Sequence, residues 1–72
     1  MPNSSMKVRS SNIADIAYDP QSQTMSVTFR DGSTYNYFDV PPGTYQRFTD
    51  APSKGGYFAE RIKPNYQATK VR

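Results

Sequence analysis

From Thr24 to Phe29 the side chains alternate without a break. Met25, Val27 and Phe29 fall on one side of an extended chain, and Thr24, Ser26 and Thr28 on the other. A period of two residues predicts a strand with one buried face. Ile13 to Tyr18 reads as a shorter, less regular strand before it, and Ser33 to Phe38 as a third strand after it, with Tyr35 and Tyr37 on one face. Residues 19–23, beginning Asp19-Pro20, carry turn chemistry: proline fixes φ at the second turn position, and the aspartate accepts from the backbone that follows.

The second turn holds Asp31-Gly32. A two-residue loop there would pair Phe29 with Thr34 and put the tyrosines on the face opposite Met25, Val27 and Phe29. A three-residue loop, Arg30 to Gly32 with Gly32 left-handed in a bulge, pairs Phe29 with Ser33, Val27 with Tyr35 and Met25 with Tyr37. Both loops are common. Burial of a single face selects the three-residue loop, because a one-residue slip turns every side chain over.

After Asp39-Val40-Pro41 the periodicity changes. Pro42 suits a first helical position, with Pro41 extended before it. A first helix over about 42–50 shows Tyr45 and Phe48 on one side and stops at Ala51-Pro52. Ser53 is a good N-cap for a second helix over about 54–63, which presents Phe58 and Ile62 and ends at Pro64. The expected fold class is α+β: a three-stranded antiparallel sheet (β-β-β) with two short helices (α-α) covering one face. Residues 1–9 read as a flexible arm, 10–66 as a single domain and 67–72 as a basic tail.

Composition narrows the chemistry. Seventy-two residues make one domain, near the lower limit for a self-sufficient core. Six tyrosines and four phenylalanines supply the bulk such a core needs. The chain has no cysteine and no histidine, which removes disulfides, thiol catalysis, cysteine-ligated zinc and the usual neutral-pH base. No cofactor or metal is expected, and the chain reads as a non-enzyme. Asp19 and Asp31 sit where turns favour aspartate, and Asp39 and Asp50 flank the first helix. Ser53-Lys54-Gly55-Gly56 has small residues before a helix but lacks the full phosphate-loop pattern, so a cap followed by glycines accounts for it. No apolar run nears the ~20 residues of a membrane span, and no signal-peptide core is visible, so a cytoplasmic protein with no membrane partner is expected.

Charge is uneven. Residues 61–72 carry four basic side chains and no acid, and residues 1–60 balance to −1, leaving +3 for the whole. Lys54, Arg61, Lys63, Lys70 and Arg72 are the candidate phosphate contacts, with Tyr57 and Tyr66 as candidate stacking residues for unpaired RNA bases. Solvated charges that snorkel over a small core account for the same residues. Thr24, Ser26 and Thr28 on a possible edge, with Phe38 as the apolar exception on the polar face, suggest a protein contact instead.

In order and spacing the chain resembles the KTSC domain, named for its place at the C-terminus of some lysyl-tRNA synthetases and also found as a stand-alone bacterial or phage protein. The matching residues are Ser10 to Ile13, Ile16 to Asp19, Val27 to Phe29 with Gly32, the Tyr35-Asn36-Tyr37-Phe38 signature, Val40-Pro41, Ala51 to Gly55, Tyr57-Phe58, Ile62 and Tyr66. Ala17 departs from the pattern, where glycine is expected. The resemblance implies a small domain whose link to RNA comes through the synthetase. The first reading is therefore a non-catalytic binding module with RNA as the first candidate ligand. The alternative is a protein–protein interaction module using an open sheet face or edge strand. A monomer or weak dimer is expected.

Overall fold

The alternating segment Thr24–Phe29 lies in the middle of a five-stranded antiparallel sheet whose strand order follows the chain. The computed structural model describes residues 4–7 and 12–72, with side chains from 12 onward. The strands are β1 (Ser4–Lys7), β2 (Ile13–Asp19), β3 (Thr24–Phe29), β4 (Thr34–Tyr37) and β5 (Ala68–Lys70). The expected three-stranded sheet is thus corrected to five strands. β2, β3 and β4 are the three read from alternation. β1 and β5 add one strand at each side, from the segments taken as arm and tail. Their patterns are too short and polar to announce a strand; pairing with a preformed neighbour decides their conformation. The flexibility expected for 1–9 falls largely on residues outside those described.

β3 and β4 pair with Val27 opposite Tyr35 and Met25 opposite Tyr37. The Phe29 amide donates to Ser33 O at 2.8 Å, the Gly32 amide to Phe29 O at 2.9 Å, and Gly32 has φ +94°. This is the three-residue loop, selected by burial of one face. β2 pairs with β3 through a bulge between Ile13 and Asp15. The extra residue explains the broken alternation of this strand: Ile13 and Ile16 are three apart, yet both are fully buried. β3 has neighbours on both sides, so Thr24, Ser26 and Thr28 are not on an edge. The edges belong to β1 and β5.

α1 (Pro42–Asp50) starts after an extended Pro41 and stops at Ala51, itself extended before Pro52. α2 (Lys54–Tyr57) is capped by Ser53, whose hydroxyl accepts from the Gly56 amide at 3.1 Å. The second helix does not run on in α form: Phe58–Ile62 is a π-helical segment, closed by Lys63 N–H on Phe58 O at 2.9 Å. Pro64 supplies no amide to continue the ladder.

Both helices press on the sheet face that carries Ile16, Tyr18, Met25, Val27 and Tyr37. Phe58 is the hub, meeting Phe29 and Tyr37 edge-on at 5.4 and 5.5 Å between ring centroids and Phe48 at 6.4 Å. Tyr18 stacks on Tyr45 at 4.6 Å and donates its hydroxyl to Val40 O at 2.5 Å. Burial, with a smaller push from the Asp19 carboxylate, raises the Tyr18 phenol above its ordinary 10.0, and burial raises Tyr37 likewise.

Candidate interaction surface

The helices cover one face of the sheet; the second carries short polar side chains. Ala17, Ser26, Asn36 and Thr69 lie across from one another on β2, β3, β4 and β5. Asp15, Thr28 and Thr34 form the neighbouring row. The rows bond internally: Ser26 Oγ donates to Asn36 Oδ1 at 2.5 Å, and the Thr28 and Thr34 hydroxyls are 3.0 Å apart. Cross-strand pairs of this kind stabilise the register and satisfy the face's own polar groups without a covering layer. At one end stands Phe38, 39% exposed. With Ala17, Ser22, Ser26 and Asn36 it lines a shallow concavity of ≈ 260 Å³. Its amide donates to Gln67 O at 3.1 Å and the Val71 amide to Thr34 O at 2.8 Å, so the chain is paired on both sides of β5 and the ring stands out from a hydrogen-bonded backbone.

The residues singled out for nucleic acid lie on several elements. Lys54 is half-buried and its ammonium donates to Ala51 O at 2.6 Å. Tyr57 is half-buried and stacks on Phe48 at 5.6 Å. Tyr66 is half-buried, with its hydroxyl 3.2 Å from that of Thr44. Arg61 and Lys63 are exposed at the end of the second helix. Lys70 is exposed on β5, where its charge helps to lower the Asp31 carboxyl, although the Ser33 hydrogen bonds have the larger effect. Arg72 is exposed and its backbone pairs with Thr34. Of these, Arg61 and Tyr57 line one concavity, together with Arg47, which sequence reasoning passed over because nothing in a short helix marks one charged residue above another. Among the described residues, no helix is long and apolar enough to cross a membrane.

The family model of the KTSC domain matches residues 9–66. The chain belongs to the KTSC domain family. A crystal structure of a KTSC domain protein from Yersinia pestis matches with a TM-score of 0.91 and 36% identity, over 99% of this chain and 100% of that one. A protein of Stutzerimonas stutzeri is 36% identical over 59 residues, covering 82% of this chain and 83% of its own length. A lysine–tRNA ligase of Nostoc punctiforme is 37% identical over 62 residues, which are 86% of this chain and 11% of the ligase. The chain thus spans about a tenth of the ligases it matches. In this small domain the helices cover one sheet face and leave the other open.

Proposed function

We propose that this KTSC domain is a protein-interaction module and that its contact surface is the open sheet face around Phe38. The observation that carries the reading is a hydrogen-bonded polar face with an exposed aromatic at its margin, in a domain whose other aromatics mostly turn to the core. Exposed aromatics are enriched at interfaces, where they act as anchors with polar residues around them. The face is also preorganised, so docking costs little side-chain entropy.

The test replaces Phe38 and Thr69, both exposed, by aspartate. Proteins retained by the wild-type domain on an affinity matrix should be lost from the double variant, whose thermal midpoint stays close to the wild type. An unchanged retained set would remove the open face from the account.

RNA is the second reading. It rests on the lysine–tRNA ligase relatives and on the basic segment from Arg61 to Arg72. Arg61, Lys63, Lys70 and Arg72 would meet phosphates, joined by Lys54 if it leaves the Ala51 carbonyl. Tyr57 or Tyr66 would stack on a base. Neutralising the four terminal cations should then weaken RNA binding and flatten its salt dependence. An unchanged affinity and slope would end this reading.

A further inference from the structure

On the helical side, away from the open sheet face, a groove of ≈ 620 Å³ runs between α1 and α2. It is larger than the concavities of ≈ 380 and ≈ 260 Å³ elsewhere and falls within the ~300–1,000 Å³ typical of ligand sites. Arg47 reaches it from α1, Tyr57 from α2, and Glu60 and Arg61 from the π-helical segment. Tyr57 and Arg61 are four positions apart, close to one π-helical turn, and both line the groove with Glu60. Ala51 and Pro52 form an apolar floor beside them. Neither the Arg47 nor the Arg61 guanidinium has a hydrogen-bond or ion-pair partner among the described residues. Two unpaired guanidiniums from different elements thus line one concavity together with the Tyr57 ring, which is braced against Phe48.

We propose that this groove binds a carboxylate-bearing peptide segment of a partner protein. Arg47 and Arg61 take the carboxylate, and Tyr57, Ala51 and Pro52 take an apolar neighbour in the same segment. Guanidinium forks match a carboxylate with two parallel hydrogen bonds. Glu60 decides between a single anion and a chain of them. The lining side chains sum to +1, and the Lys54 ammonium beside them is held by the Ala51 carbonyl; Glu60 opposes a run of closely spaced phosphates more than a single carboxylate. The site is separate from the open sheet face, so either surface can fail without the other.

The probe is a capped peptide, Ac-Gly-Leu-Glu-Pro-Gly-amide, titrated into the isotopically labelled full chain and followed by backbone amide shifts. Its Gln counterpart, titrated in parallel, carries no charge. Shifts should appear at Ser53, Gly56, Tyr57 and Arg61, stronger with the Glu peptide. The R47A/R61A double variant should weaken the Glu peptide by about tenfold or more, and R47K/R61K by less, since lysine keeps charge but loses the fork. E60Q should tighten it. The F38D/T69D variant should leave it unchanged, which separates this groove from the open face. Both arginines are exposed, and an unchanged thermal midpoint verifies the fold of each variant. Equal binding by wild type and R47A/R61A, or by Glu and Gln peptides, would overturn the proposal. So would shifts at these amides with oligouridylate and none with the peptide.

Discussion

Tyr18 fastens three parts of the chain at once: it sits on β2, stacks on Tyr45 of α1 and donates to Val40 O in the loop before that helix. The Val40 amide in turn donates to Gln23 O at 2.9 Å, which ties the β2–β3 turn to the same loop. Tyr18→Phe keeps the ring and leaves a buried carbonyl without its donor. The expected cost is about 1–2 kcal/mol, read as a lower urea midpoint with unchanged slope. An unaltered midpoint would mean that water or a shifted loop replaces the bond. Asp31 gives a second, pH-dependent case. The Ser33 hydroxyl and amide donate to its Oδ1 at 2.6 and 2.9 Å, and these bonds, above all that of the hydroxyl, hold the carboxyl below its ordinary 3.8. A lowered folded value stabilises the turn above pH ~3.8 and is lost as pH falls through the folded value. The Asp31 carboxyl should titrate by NMR below 3.8, and Ser33→Ala should move it part of the way back, since the backbone donor remains. A midpoint at 3.8 in the wild type would contradict the hydrogen bonds.

At the scale of elements, the β3–β4 loop fixes which residues face the helices. Gly32 at φ +94° allows the bulged turn, and Gly32→Ala should cost about 1–2 kcal/mol by forcing a side chain into left-handed backbone. Nothing lies within 4 Å of a Cβ there, so the penalty is backbone strain and not a clash. A neutral alanine variant, measured by thermal melting, would mean that the loop relaxes. This loop was legible because two local options differ by the burial of an entire face. β2, α1 and the Ser53 cap were legible for related reasons: apolar spacing, Pro42 and Pro52, and a hydroxyl at the right place. The π-helical segment was not legible, because it turns on how the helix ends at Lys63 and Pro64, not on the pattern of Phe58 and Ile62. β1 and β5 were illegible as strands for a different reason. Four and three residues of weak alternation cannot be distinguished from a tail until a neighbour offers its edge. With those strands in place, the candidate edge at β3 vanished and the polar face widened to include Thr69.

For the whole molecule, two layers leave one surface of the sheet outward, and the proposed role rests on it. Phe38 was visible in the sequence as an apolar residue on a polar face, but its exposure was decided only by where the tail runs: Gln67 takes its amide while the ring stays out. The most direct measurement places a photo-crosslinking benzoylphenylalanine at position 38, on the open face, and separately at 43, exposed at the start of α1 with nothing within 4 Å of a Cβ. Both variants are irradiated in cells that express the domain. A protein partner on the open face predicts discrete adducts at 38 that survive ribonuclease, are destroyed by protease and are absent at 43. Adducts at 38 that ribonuclease removes, or the same protein adducts at both positions, would contradict it.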